Sequence, residues 1–318
     1  ALISDAYEFS RPKLYPMENG KYMVLATVDG DLVSGLDESP TDGAANASGK
    51  AVLSYAIYDS VNGTYKSDAD GKIFHSLEPK EKAGANGDSM NFHPCVTGIG
   101  SGKYVILWNS VLYGEKKDSL SLADMRTVIR AAVYDSTKAE TDPGRMIYKS
   151  LVTEEEDENI VSGIVTDAVY DKNAGEVVVL YRNLGLDGLT GEHTLGDLSR
   201  SNSVLACTSL PVGNNSLADP GTAFTDSVVL AEGGEDKVLK TADLDLVNGQ
   251  PVIAYHVTEG PQAGILSDAE EGSQNHIYLT SLTHRGQNGY DTGTVREVTE
   301  DDSSRYHGYA KLMNEMLM

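Results

Sequence analysis

Apolar and polar positions along this chain fall into a phrase that recurs. Each copy has a polar start, a short apolar strand, a glycine-centred turn and a second, strongly apolar strand. The copies are Ser10–Leu14 with Gly20–Ala26, Phe92–Val96 with Gly102–Trp108, Val165–Val169 with Gly175–Tyr181, and Lys240–Leu244 with Gly249–Tyr255. A fifth opens at Gly308–Leu312. The last apolar residues of the first strands are Leu14, Val96, Val169, Leu244 and Leu312, at intervals of 82, 73, 75 and 68 residues. A third strand follows in each unit, at Ala51–Asp59, Thr127–Asp135, Ser203–Thr208 and His276–Leu282. A weaker fourth follows at Lys72–His75, Met146–Lys149, Ser227–Leu230 and Thr294–Val298.

Four antiparallel strands per unit, repeated, predict an all-β β-propeller. One domain over residues 1–318 is expected, with blades at about 7–80, 90–152, 163–232 and 239–300. Residues 301–318 then close the ring or open a truncated fifth blade. A ring of five, part of a larger ring, and a ring shared by two copies all satisfy this count. An open array would expose apolar faces, so Met313, Met316, Leu317 and Met318 are expected to be buried. Ala1 and Met318 read as cuts in a longer polypeptide. The second strand, the most apolar, should be buried on both faces. The third partly alternates, with Val52, Ser54, Ala56 and Tyr58 on one face and Leu53, Tyr55, Ile57 and Asp59 on the other. The long connections Asp29–Lys50, Asn109–Arg126, Asn183–Asn202 and Val257–Asn275 all join second to third strands. They should therefore emerge on one rim, the usual place for a binding surface on a repeat scaffold.

Charge narrows the partners. Lys and Arg number 25 against 48 Asp and Glu, a formal net charge of −23. That opposes nucleic acid, which needs clustered cations, and docking on an anionic membrane. No apolar run is long enough for membrane insertion and no signal peptide is visible. The two cysteines, Cys95 and Cys207, fall in different strands of different units and read as small buried side chains. Tyrosine is frequent (17 against 4 Phe) and gathers at strand ends such as Tyr58, Tyr134, Tyr181, Tyr255 and Tyr278, where an apolar ring with a polar tip suits a blade edge.

Candidate chemistry is sparse. The first strands of the third and fourth units carry Asp167 and Asp243, which as a pair could serve as acid and base or hold a cation. The equivalent places in the first two units hold Lys13 and His93. Asp68 and Asp70 half-match a calcium loop, with Gly71 and Ile73 in order. Lys66 and Leu77 stand where its first and last acidic ligands belong, so a tight Asp-Gly hairpin is the expectation. Calcium is the one cofactor the acidic residues could take. The run Glu154–Glu158 reads as a solvated connector. No His-x-x-x-His, Gly-x-Ser-x-Gly or phosphate-binding glycine loop is present, and Trp108, the single tryptophan, lies in a buried-type strand.

The stretch Ser67–Phe74 is similar to the Asp-box of sialidase-type propellers, with its acids displaced and in a single copy. In its repeat pattern over residues 7–312 the chain resembles bacterial secreted or cell-surface β-propeller proteins that lack catalytic groups. That resemblance implies a non-catalytic extracellular adhesion scaffold, binding a protein or glycan of the cell envelope through its rim loops. The alternative is a glycan-active, glycosidase-like propeller using Asp167 and Asp243.

Overall fold

The computed structural model describes residues 12–34, 51–68, 71–77, 90–113, 125–149, 163–183, 203–212, 224–234, 236–260, 274–299 and 312. The chain is all-β, in four antiparallel sheets that follow the sequence order. The first sheet contains β1 (Lys13–Pro16), β2 (Lys21–Asp29), β3 (Val33–Ser34), β4 (Ala51–Asp59), β5 (Thr64–Tyr65) and β6 (Phe74–Ser76). The second contains β7 (Met90–Gly100), β8 (Lys103–Tyr113), β9 (Met125–Asp135) and β10 (Met146–Lys149). The third contains β11 (Ile164–Asp171), β12 (Glu176–Asn183), β13 (Val204–Pro211) and β14 (Val228–Glu232). The fourth contains β15 (Lys237–Val247), β16 (Gln250–Glu259), β17 (Gln274–His284), β18 (Tyr290–Thr292) and β19 (Arg296–Glu297).

The first hairpin of each sheet is set by its turn. In the second and fourth sheets two residues close it, Ser101-Gly102 and Asn248-Gly249, all with positive φ. That backbone twist matches the twist of the flanking strands, and Asn, Ser and Gly tolerate it. The first sheet ends its longer turn the same way, at Asn19-Gly20. In the third sheet the Asp171 carboxylate instead accepts the backbone N–H groups of Asn173 and Ala174, at 2.9 and 3.2 Å.

Neighbouring sheets pack face to face. Met23, Leu25, Leu53 and Tyr55 of the first meet Ile106, Trp108, Ala132 and Tyr134 of the second. Leu107, Ile129 and Ala131 meet Ala168, Val177 and Val179 of the third. Val178, Leu180 and Leu205 then meet Leu239, Leu244, Ile253 and Tyr255 of the fourth. The second strand of each sheet is therefore covered on both sides, and its buried run is continuous. The third strand of the first sheet alternates as expected, with Leu53, Tyr55 and Ile57 packed on one face and Val52 and Ala56 on the other, and it is buried on both from Val52 to Ile57. The reason is a cover on its far face: Val33 and Phe74 pack there on Val24, Ala26, Val52 and Ala56. The two-residue strands β3 and β5 were not legible as strands. The fourth strand of the first sheet begins at Phe74, two residues later than its apolar pattern suggested.

The first strands of the second, third and fourth sheets share an irregularity. A β-bulge interrupts β7 between Phe92 and Cys95, β11 between Val165 and Asp167, and β15 between Leu239 and Ala242. In each case one extra residue re-aims the side chains that follow. His93, with φ of 58°, takes up the extra turn in β7. The four inner strands lie in order, with β11 in contact with both β7 and β15, and β7 in contact with β1.

Among the described residues no helix is long and apolar enough to cross a membrane.

Candidate functional site

Strand registers fix where the long connections leave the sheets. Their roots are Asp29 and Ala51, Tyr113 and Met125, Asn183 and Val204, and Glu259 and Gln274, each a directly paired couple closing its ladder. The connections between sheets return to this same end. Gly163 donates its N–H to the Thr127 carbonyl at 2.9 Å, which starts β11 beside the root of the second sheet's loop. Asn109, fully buried, locks that entry by donating to the Gly163 carbonyl at 2.7 Å and accepting the Val165 N–H at 3.1 Å. Gly233 donates to the Ser203 carbonyl at 2.7 Å, and Lys237 pairs with Glu259, so the third-to-fourth connection also runs at this end. The hairpin turns meet at the opposite end. There Gly102 N–H donates to Glu18 Oε1 at 3.2 Å, and the Asn173 side-chain amide donates to the Gly249 carbonyl at 3.4 Å. All four loop roots therefore lie at one end of the array. The connections themselves, residues 35–50, 114–124, 184–202 and 261–273, lie outside the described residues.

A groove of about 740 Å³ opens at this end between the third and fourth sheets. Leu230 and Gly233 contribute to its wall, with Glu232, Asp236, Lys237 and Glu259. Lys237 Nζ is 3.5 Å from Glu259 Oε1, so the one cation is partly matched and the other two carboxylates face solvent.

Asp167 and Asp243 both sit close behind the bulges, but one register position apart. Asp167 is opposite Leu180, whereas Asp243 is opposite Ala254 and therefore corresponds to Ala168, Cys95 and Lys13. Asp167 shares the face of Leu180, which packs toward the fourth sheet, whereas Leu244 and Ile253 beside Asp243 pack back on the third, so Asp243 is turned away from Asp167. The half-exposed Asp167 turns toward β7. Its Oδ1 accepts the Ala168 N–H at 2.8 Å and stands 3.9 Å from Cys95 Sγ. The buried Asp243 faces away from the third sheet, and its Oδ2 accepts the Leu312 N–H at 2.5 Å. The two carboxylates are engaged on opposite sides of the β11–β15 pair. His93 sits inside its bulge and does not face Asp167 across an equivalent register position.

Burial, reinforced by the Asp167 carboxylate, pushes the Cys95 thiol up to about 12. Burial alone does the same to Cys207. Both are free, and as protonated thiols neither is a nucleophile at neutral pH.

Asp68 is used by its own turn. It accepts the Lys72 N–H at 2.9 Å and the Ser34 hydroxyl, while its backbone N–H donates to the Lys72 carbonyl at 2.9 Å. Gly71 takes a φ of 78° to close that loop. Asp70 lies outside the described residues, as do Glu154–Glu158, Met313 and Met316–Met318. Among the described residues no three His, Cys, Asp or Glu side chains are placed to hold a metal ion.

Two polar clusters between sheets, and one further side chain, carry no mark in the sequence. Between the first and second, Arg145 donates to the Tyr134 hydroxyl at 2.5 Å and lies over its ring, while Glu140 pairs with Lys66 at 2.6 Å. His75 stacks on Tyr55, which in turn meets Tyr134 edge-on. Between the third and fourth, Tyr290 donates to Asp171 at 2.9 Å, and Glu176 accepts from Ser209 at 2.6 Å and contacts His284 at 3.1 Å. The remaining one is a single side chain, Arg182, at the loop end of β12. The partners that join two sheets, Lys66 with Glu140 and Asp171 with Tyr290, are far apart in sequence, and no local spacing marks them.

No family model matches the chain, and no curated protein matches it. Solved structures share its general shape at low similarity. One is a protein of unknown function from Dyadobacter fermentans, at 9% identity and a TM-score of 0.42, with 90% of this chain and 77% of that one covered. A glycosyl hydrolase from Bacteroides ovatus is 10% identical with a TM-score of 0.41, covering 91% and 69%. An alpha-L-arabinanase from Penicillium chrysogenum is 12% identical with a TM-score of 0.43, covering 95% and 70%.

Proposed function

We propose that the four sheets are consecutive blades of a β-propeller, and that the protein is a secreted or cell-surface scaffold that binds a glycan of the cell envelope at its loop end. One observation carries this reading: the roots of all four long connections and an open polar groove lie at the same end of the array. A rigid stack of sheets holding variable loops at one end is the arrangement repeat scaffolds use for binding. The inner-strand carboxylates support a non-catalytic role, because both are occupied by main-chain amides. Aspartates so placed organise backbone. The acidic surface leaves nucleic acid and anionic membranes outside the reading.

A second reading assigns glycosidic-bond chemistry to Asp167 and Asp243. It is favoured by Asp167, which is half-exposed on an inner strand close to the loop end. It requires Asp243 to leave Leu312 and turn toward its partner.

A glycan array followed by titration of the best neutral oligosaccharide separates the readings. The scaffold reading expects saturable binding without turnover, weakened by Asp236→Ala with Glu259→Ala and unchanged by Asp167→Asn with Asp243→Asn. Cleavage that disappears in the double Asn variant would establish the second reading. Absence of any saturable ligand would overturn both.

A further inference from the structure

Arg182 is the last but one residue of β12, at the loop end of the third sheet. In register it stands between Ile164 of β11 and Leu205 of β13, and Leu205 pairs in turn with Ala231 of β14. These four side chains form one row across the sheet, on the face turned toward the fourth sheet. Ala231, at the far end of the row, lines the groove. Arg182 itself is half-buried.

Its guanidinium has no hydrogen-bond acceptor and no ion-pair partner among the described residues. Asp167, on the same face, turns its carboxylate to the β7 side. Burial draws the Arg182 guanidinium down to about 10, and no carboxylate offsets that effect. Taking a cation out of water without a counter-charge is costly. In a chain with a net charge of −23, carboxylates are plentiful, yet none of those among the described residues is placed on this arginine.

We propose that Arg182 anchors a carboxylate-bearing sugar, of the uronic acid class, that enters at the loop end between the third and fourth sheets. The proposal rests on the glycan reading above and deepens it. The planar fork of a guanidinium presents parallel N–H donors that match a carboxylate, and a partly dehydrated fork holds one more tightly than a solvated fork does. The adjacent groove is lined by Glu232, Asp236 and Glu259 with only Lys237 to balance them. A uronate carboxylate is repelled from those positions and accepted at Arg182, so the charge pattern fixes which way round the sugar lies.

The test uses xylobiose carrying a single glucuronate and the methyl ester of the same sugar, titrated calorimetrically into the protein at low salt. Wild type is expected to bind the free acid more tightly than the ester. Arg182→Met keeps the apolar stem and removes the charge. It should weaken the free acid by about tenfold or more, leave any binding of the ester within about twofold, and leave the melting temperature unchanged or raised. Arg182→Lys should keep part of the preference, since it retains charge without the fork. Equal binding of acid and ester by wild type overturns the proposal, as does an Arg182→Met variant that still prefers the acid. A variant that melts well below wild type marks Arg182 as structural and also overturns it. If wild type binds the ester alone, the glycan reading survives and the uronate inference does not. If it binds neither, this inference fails, and the neutral-glycan titration above decides the broader reading separately.

Discussion

The Asp243 carboxylate accepts the backbone N–H of Leu312 at 2.5 Å, joining β15 to a residue 69 positions later. Cys95 holds the same register position in β7, and its sulfur lies against the backbone N–H of Ala168 on the neighbouring inner strand. Leu312 is the last apolar residue of the fifth copy of the sequence phrase. Asp243→Ala removes a charge-assisted bond at a buried site and should cost about 2 kcal/mol in urea unfolding. Asp243→Asn should cost less, because its amide oxygen still accepts. Equal stability of Asp243→Ala and wild type would show that Leu312 is not held there.

Asn109 should be among the most sensitive polar residues. It is fully buried and satisfies both Gly163 and Val165 where the chain enters the third sheet. Asn109→Ala leaves two buried backbone groups without partners, a loss of about 2–4 kcal/mol. Asn109→Asp keeps the acceptor but sets a carboxylate against the Gly163 carbonyl, and should be at least as damaging. Chemical denaturation of both variants checks the order.

Gly163 is predicted to tolerate no side chain. Its φ is 149°, and an added Cβ would stand 2.6 Å from Tyr181 Cδ2 and 3.0 Å from the Arg182 carbonyl. Gly163→Ala should lower stability by about 1–3 kcal/mol through strain alone. A thermal melt matching wild type would contradict the described path into β11.

His75 should make stability depend on pH in a defined direction. Burial lowers its pKa, with Arg145 and Lys66 acting the same way and Glu140 and Asp68 opposing. The unfolded chain takes up a proton near the ordinary histidine value of about 6.5. The folded chain does so only at lower pH. The contribution is therefore full above the ordinary value, and is lost as pH falls from there toward the depressed folded value. His75→Phe, which keeps a ring on Tyr55, should flatten that part of the stability profile. An unchanged difference between variant and wild type from pH 7.5 to pH 5 would contradict this.

Tyr290→Phe should weaken the junction of the third and fourth sheets. The hydroxyl donates to Asp171, whose other oxygen organises the turn before Glu176. Loss of one buried bond to a carboxylate amounts to about 1.5–3 kcal/mol. Burial, with the Asp171 bond adding to it, raises the Tyr290 pKa, so the phenol stays protonated through the ordinary range and the effect should not vary between pH 6 and pH 9.

What was legible in the sequence follows from periodicity. Runs such as Tyr104–Trp108 and Val177–Tyr181 are apolar on both faces, and only a strand between two packed layers needs that. Ser101-Gly102 and Asn248-Gly249 marked their turns because positive φ restricts residue choice. The bulges were not visible, since one extra residue at Thr166 or His93 leaves no compositional trace. Asp167 and Asp243 stand two and one residues before the aligned Val169 and Leu244, so their offset by one is present in the alignment itself and does not come from the bulges. The clusters around Tyr134, Glu176 and Arg182 depend on which sheet faces which, a property of the whole array.

The account depends most on the loop roots sharing one end of the array. Partly buried Cys95 and buried Cys207, with thiols raised to about 12, should leave engineered cysteines selectively labelled. Spin labels at Asn183 and Glu259 probe two loop roots on neighbouring sheets, and labels at Asn183 and Asn248 probe a root and a turn. β16 spans ten residues between its turn and its root, or roughly 30 Å at strand rise. Pulsed electron–electron distances should therefore be clearly shorter for the Asn183–Glu259 pair than for the Asn183–Asn248 pair. The reverse order, or equal distances, would scatter the loops to both ends and remove the proposed binding surface.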